Sequence, residues 1–434
     1  MTDVNLSAYS SYVDEVVRTA EEAGRSITKF EPAAADLILD GQMQRKLRDL
    51  VPISYLREIG AFFTGSVLRE SAIAHVAQTI GPESIVFDPA CGVGDLLLAS
   101  AFHLPVSESL TATLSMWGRV LHGTDLSTTF IRAAKARLVL LAIHRGAVPD
   151  GGYINVESLF PGIRVGDGLA TKEIISKSTH VFVNPPYGPS IAEKECQWAS
   201  GKVSFAAVFM DYVLANAQRG AHIVAILPDV LRTGTRYAKW RHLVQSRCEN
   251  RTIEVIGKFD KSTDVDVFTL YVVSSLNPVI SEFPWFRNVM SNGDKTIESS
   301  FHVHVGPVVP HRHKKTGRLR RFIYAQAISG LPIFDAGTAE IRRFSGRVFL
   351  PPFIVLRRTS SPDQGTRLFC TLITGTSPVA VENHLILLIP RSGKINVCRQ
   401  AMRILQTARV AGWLNERIRC RHLTVGSISE IPWK

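Results

Sequence analysis

Asn184-Pro185-Pro186-Tyr187 ends a short apolar run, Val181-Phe182-Val183, and its four residues suit chemistry at an amino group on an aromatic ring. Proline fixes its own φ, lacks an N–H and pushes the residue before it into an extended conformation. Two prolines in a row therefore hold Asn184 at the strand end, its side chain and the Pro185 carbonyl free to accept hydrogen bonds. Tyr187 adds a flat ring for stacking. Taken alone, the tetrapeptide reads equally as an ordinary strand-to-loop turn.

Its context lies upstream. The strand-like run Ser84–Phe87 leads into Asp88-Pro89-Ala90-Cys91-Gly92-Val93-Gly94-Asp95 and then an apolar helical run, Leu96–Ala101. A glycine-rich turn between strand and helix lets the backbone approach a ligand closely. Gly92-x-Gly94 lacks the third glycine of the dinucleotide fingerprint. Its pairing with Asn-Pro-Pro-Tyr, in this order, is the specific signal.

The two motifs resemble those of the S-adenosylmethionine-dependent amino-methyltransferases of DNA, in particular the N6-adenine group of restriction–modification type. The resemblance implies S-adenosyl-L-methionine as cofactor, held by Asp88, Ala90, Cys91, Gly92 and Gly94. It extends to weaker matches in the expected order. Phe62-Phe63-Thr64 resembles the segment that closes over the methionine end of the cofactor, with Gly65 where the family usually has proline. Gly123-Thr124-Asp125-Leu126 is similar to the acidic strand end that binds the ribose hydroxyls, and Asp167 of Gly166-Asp167-Gly168 to the contact with the cofactor's adenine. Gly168 departs from the aromatic or aliphatic residue usual there. For catalysis the resemblance implies Asn184, Pro185, Pro186 and Tyr187. Phe259 is the expected aromatic on the second face of the base, with Phe268 as its fallback. The target base must leave the duplex, at a cost of a few kcal/mol.

The elements that position these residues can be read without the family. Apolar runs recur at Ser84–Phe87, Val120–Gly123, Ile163–Val165, His180–Val183, Ala221–Leu227, Ile253–Phe259 and Val267–Ser274, several separated by helix-like stretches such as Ser127–His144 and Val208–Gln218. This alternation predicts an α/β fold: a doubly wound, seven-stranded, mostly parallel sheet with ligands at the carboxyl ends of its strands. Only Asp260–Asp266 separates the last two runs, so a hairpin there makes the seventh strand antiparallel. Residues 8–24 and 33–49 read as amphipathic helices.

A chain of 434 residues suggests more than one core. The expected division is a helical segment over 1–50, an α/β domain over 51–280 and a basic α+β domain over 281–434; the resemblance implies that the second is catalytic and that the third is the target-recognition domain. Within the last, Phe349–Arg358, Leu368–Thr374 and Ala380–Pro390 look β-like and Gln400–Arg417 helical. Charge supports the division. Residues 301–434 hold 21 Lys/Arg against 6 Asp/Glu, whereas residues 1–300 hold 29 against 32. A one-sided basic segment is the footprint of a polyanion partner, which the resemblance implies to be double-stranded DNA. Its densest run, His311–Arg321, reads as a DNA-facing loop, with a solvated loop as the plainer account.

The six cysteines show no metal-ligand spacing and read as free thiols, so no metal is expected, and Cys91 reads as a packing residue. The absence of a long apolar stretch predicts no membrane association and a cytoplasmic location. The resemblance further implies a restriction–modification or phage-defence setting, with a cognate restriction endonuclease or specificity subunit as partner. Methylation of RNA or of cytosine N4 stays open, as does an inactive DNA-binding subunit that keeps the fold.

Overall fold

The structure is a computed structural model that describes residues 6–25, 41–59, 64–151, 155–259, 265–275, 285–286, 295–314, 316–362 and 365–433. It divides into two compact units, Met1–Phe283 and Pro284–Lys434.

The first unit is built on a central sheet. Its strands in chain order are β1 (Val86–Asp88), β2 (Leu121–Asp125), β3 (Ile163–Val165), β4 (His180–Val183), β7 (His222–Pro228), β8 (Cys248–Lys258) and β9 (Asp266–Ser274). A separate small hairpin of β5 (Pro189–Ile191) and β6 (Lys202–Ser204) follows β4. The spatial order of the sheet is β3-β2-β1-β4-β7-β9-β8. Pairings from β3 to β7 are parallel, and β9 lies antiparallel between β7 and β8. The order reverses between β1 and β4, the switch point where such sheets open a crevice at their carboxyl ends.

The strands form where the sequence is apolar on both faces, because helices cover both sides. β4 is buried at all four positions and β7 at six of seven. Helix Thr128–His144 is buried from Phe130 through Ala142, apart from Arg132, so it is a core helix. Helix Ser7–Arg25 packs against it through Tyr9, Val13, Val16 and Ala20. That helix matches the expected first amphipathic segment, and Met43–Leu50 is the described part of the second.

In the second unit, β10 (Phe301–Val305), β12 (Ile333–Asp335), β14 (Phe353–Arg357), β15 (Cys370–Thr374) and β17 (Leu385–Pro390) form a sheet ordered β10-β17-β14-β15-β12. Helices Ile395–Leu405 and Ala408–Arg417 help form the core on one face, with Ile354, Leu356 and Leu388. The opposite face packs Phe353, Val355 and Leu387 in a second cluster. β11 (Arg318–Ile323), β13 (Glu340–Phe344) and β16 (Val379–Val381) form a three-stranded sheet ordered β13-β11-β16. Part of the expected His311–Arg321 loop is therefore strand, because β11 pairs on both sides.

Candidate active site

β1 and β4 are parallel neighbours, Val86 opposite His180 and Phe87 opposite Val181. The Asp88–Gly94 and Asn184–Tyr187 loops therefore leave the same edge of the sheet side by side. β2 and β3 end at that edge too, bringing Asp125 and Asp167 to it.

Local chemistry shapes the first loop. Asp88 is buried and accepts a hydrogen bond from the Ala90 N–H at 3.0 Å. Gly92 and Gly94 have φ of 52° and 83°, in the left-handed region that favours glycine. A Cβ on Gly94 would also lie 2.9 Å from the Ala134 Cβ, so the turn rests directly on the Thr128–His144 helix. The Gly92 N–H donates to Asp125 Oδ2 at 3.1 Å, while the Ser127 N–H donates to Asp125 Oδ1 at 2.9 Å. Asp125 thus ties the two loops together. Beside it Leu126 is 78% exposed, a bare apolar side chain at the crevice edge.

Electrostatics follow from burial. Desolvation raises the Asp88 carboxyl to about 7, with the Ala90 N–H opposing and the Asp125 and Asp95 charges adding to the rise. Burial likewise raises Asp125, against its backbone hydrogen bonds. Burial, Asp88 and Asp125 all push the Cys91 thiol well up, which fits a packing residue and not a nucleophile. A Cβ on Gly123 would crowd the Cys91 Sγ at 3.0 Å.

Asp167 is exposed and caps a short turn, accepting from the Leu169 N–H at 2.9 Å. A Cβ on Gly168 would stand 2.1 Å from the Pro89 carbonyl oxygen and 2.9 Å from the Phe209 ring. That explains glycine where a large side chain is usual: the Pro89 backbone already occupies the space.

At Asn184 the amide is held from both ends. Its Nδ2 donates to Thr64 Oγ1 at 2.8 Å and its Oδ1 accepts from the Tyr187 hydroxyl at 3.0 Å. The same hydroxyl lies 3.3 Å from the Ile226 carbonyl on β7. An amide oxygen has two lone pairs, so one remains for another donor. Among the described residues the Pro185 carbonyl accepts no hydrogen bond. Burial pushes the Tyr187 hydroxyl well above its usual range, keeping it a neutral donor.

Two expectations change here. The Tyr187 and Phe259 rings touch edge to face, 5.6 Å between centroids at 89°, so no slot exists between them for a sandwiched base. Phe259 is buried beside Tyr187, and its packing in the core determines this geometry. Phe268, the fallback, is fully buried in β9 and belongs to the core alone. Thr64 reaches Asn184, and Phe62 and Phe63 lie outside the described residues.

Arg137 belongs to no motif in the sequence. It is fully buried, and its Nη1 donates to the Val93 carbonyl at 2.7 Å and to Asp95 Oδ1 at 2.8 Å. A cation from the core helix therefore pins the glycine turn. The one signal for it is an arginine directly before the apolar stretch Leu138–Ala142, with an acid at position 95 to receive it. At the end of β7, Asp229 and Arg232 form a second buried pair at 2.7 Å.

The comparisons agree with this arrangement. Residues 54–249 match the model of the N-6 DNA methylase family. No curated protein matches the chain. Among solved structures, the type IIL restriction-modification enzyme MmeI in complex with DNA is similar at a TM-score of 0.51 and 12% identity, over 88% of this chain and 69% of that one. A modification subunit of a candidate type I restriction enzyme from Vibrio vulnificus YJ016 matches at 0.40 and 17% identity, over 63% of this chain and 52% of that one. The type I restriction enzyme EcoKI M protein matches at 0.38 and 18% identity, over 62% of this chain and 63% of that one. The chain thus spans about half to under two-thirds of the length of these last two structures. The match to the N-6 DNA methylase family, over residues 54–249, takes in both the Asp88–Gly94 turn and the Asn184–Tyr187 loop.

Proposed function

We propose that the protein transfers a methyl group from S-adenosylmethionine to the N6 amino group of adenine in duplex DNA. The observation that carries this reading is the Asn184 amide, oriented by Thr64 and Tyr187 one strand away from the Asp88–Gly94 turn. The turn fits the cofactor: Gly92 is partly exposed and carries no side chain, and the Asp88 and Asp125 carboxyls and the bare Leu126 flank it. Asp88, Gly92, Gly94, Asp125, Leu126 and Asp167 would hold it, and it would supply an electrophilic methyl group.

An exocyclic amino group is a poor nucleophile because its lone pair is delocalised into the ring. Asn184 Oδ1 has one lone pair left, and the Pro185 carbonyl is free. Hydrogen bonds from the amino group to these two acceptors draw the nitrogen toward tetrahedral geometry and localise its lone pair. Because Thr64 and Tyr187 already orient the amide, little reorganisation remains at the moment of reaction. No strong base is required, since the nitrogen's proton becomes acidic only as the new bond forms. The base leaves the duplex and enters the crevice. Phe259 meets Tyr187 edge to face, so the two rings as they stand do not bracket the base.

The family match and the named restriction–modification neighbours support a modification role in such a system, in which a restriction endonuclease or specificity subunit is the expected partner. The basic second unit supports duplex DNA as substrate. No helix among the described residues is long and apolar enough to cross a membrane.

The test is transfer of tritiated methyl groups from labelled cofactor to duplex DNA, RNA or protein, followed by digestion to nucleosides. Label in N6-methyl-2′-deoxyadenosine from duplex DNA is the expected result. Label in N4-methylcytosine would move the reaction to cytosine, and label in RNA would replace the substrate. Cofactor binding by calorimetry without transfer to any acceptor would indicate an inactive DNA-binding subunit.

A further inference from the structure

In the three-stranded sheet of the second unit, β11 and β13 are antiparallel, with Arg320 directly opposite Arg342. Arg318 faces Phe344 and Phe322 faces Glu340. Residues paired in this way project from the same face, and like charges placed opposite each other destabilise a strand pair. The local chemistry does little to relieve the repulsion. Arg342 lies 5.2 Å over the Phe322 ring, and its Nη2 donates to the carbonyls of Pro310 and His313 at 3.3 and 3.0 Å. Those bonds hold the loop bearing exposed Arg312 and Lys314 against this face. Glu340, the acid of the face, accepts from the Tyr324 hydroxyl at 2.7 Å. Among the described residues neither Arg320 nor Arg342 pairs with a carboxylate. The Nε of each is shielded from solvent without a hydrogen-bond partner.

Charge on an edge strand is an ordinary guard against aggregation. That accounts for exposed Arg343 on the opposite face. It does not account for two arginines directly opposite each other across the strand pair, neither matched by a carboxylate among the described residues. An anion with several oxygens relieves the repulsion, because the guanidinium groups can donate to it through their terminal nitrogens while its charge offsets theirs.

We infer that this face, with Arg318, Arg320, Arg342 and the Arg312–Lys314 loop, contacts the phosphodiester backbone of nucleic acid. The inference rests on the proposed DNA substrate and deepens it. Backbone contacts of this kind set the register of a protein on its duplex without reading sequence.

The full chain is titrated with fluorescently labelled duplexes of unrelated sequence across a range of salt concentrations. In the double variant Arg320→Gln/Arg342→Gln, the slope of log affinity against log salt becomes shallower by about 1 per arginine. Binding to every duplex weakens alike, on the order of 10–100-fold at 0.1 M salt. The double variant Arg320→Lys/Arg342→Lys keeps the wild-type slope. Should the glutamine pair fail to fold, Arg320→Gln alone carries the test with half the change in slope. An unchanged slope overturns the inference and leaves DNA as substrate. Failure of the wild-type chain to bind any duplex overturns both. Poly-glutamate competing as well as a duplex of equal charge would replace nucleic acid by an acidic protein.

Discussion

The two edges of the central sheet handle buried polarity in opposite ways. At the carboxyl edge, Asp88 and Asp125 are held by backbone N–H groups, and burial raises both carboxyls, Asp88 to about 7. At the amino edge, β4 begins with His180, whose ring stacks on His222 at 5.0 Å, and His222 stacks in turn near Tyr271. Thr79 and Thr179 hydroxyls lie 2.9 and 2.8 Å from the two His180 ring nitrogens. Burial, then His222, lowers His180 to about 4. Desolvation disfavours charge at both edges, but the His180 ring already has both its nitrogens engaged. The carboxyl edge keeps spare acceptors: one lone pair on Asn184 and the Pro185 carbonyl. A fold can bury polar groups for stability alone or leave a few short of partners for a ligand, and this sheet does each at one end.

The sharpest way to break the contrast is Asn184→Ala. Transfer should fall by on the order of 10³ or more, since electrostatic groups at a reacting centre are worth that much, while calorimetry finds cofactor affinity unchanged. Transfer at a tenth of the wild-type rate would remove Asn184 from the chemistry.

Arg137→Met tests whether the carboxyl edge depends on its support from below. Removing one partner of a buried pair costs roughly 3–5 kcal/mol, read by denaturant unfolding, and should weaken cofactor binding. The double variant Arg137→Met/Asp95→Leu should recover much of the lost stability. If it is no more stable than the single variant, the pair is not what holds the turn.

Proton linkage separates the edges by sign. His180 has a folded pKa below its ordinary 6.5, so its contribution is present above 6.5 and lost as pH falls toward about 4. Asp88 has a folded pKa above its ordinary 3.8, so its contribution is present below 3.8 and lost as pH rises through about 7. Between pH 4 and 6.5 the two slopes oppose each other. Asp88→Asn should unmask stability that rises with pH, and His180→Asn stability that falls with it, each by about 1.4 kcal/mol per pH unit. Matching profiles for the two variants would refute the assignment.

The mildest change is Tyr187→Phe, which keeps the ring and removes the hydroxyl that orients the Asn184 amide. A drop of about tenfold in the single-turnover rate is expected, near the worth of one hydrogen bond, with cofactor affinity unaltered.

Legibility tracks how far local sequence determines local structure. Strands buried on both faces, such as His180–Val183 and Ile223–Leu227, announce themselves as apolar runs, and the residue order alone places the two loops at their ends. Arg318–Ile323 does not, because a strand whose exposed face carries arginines looks like a solvated loop until both neighbours are known. The hairpin of Pro189–Ile191 and Lys202–Ser204 is too short and polar to stand out. The Thr64–Asn184 bond joins residues far apart in the chain, and although each sits in a motif, neither motif foretells the bond between them. The edge-on meeting of Tyr187 and Phe259 is likewise a product of packing, and so is the hold of Arg137 on the glycine turn.

Gly168 and the Pro89 carbonyl leave no clearance between two loops that both border the crevice. Sequence drift at either position is therefore constrained in one direction: a larger residue at 168 can arise only after the main chain at 89 has retreated. An engineer wishing to admit a bulkier cofactor analogue would do better to rebuild the 88–94 and 166–168 segments as one cassette than to vary them separately, because single-site libraries at 168 would return mostly misfolded clones.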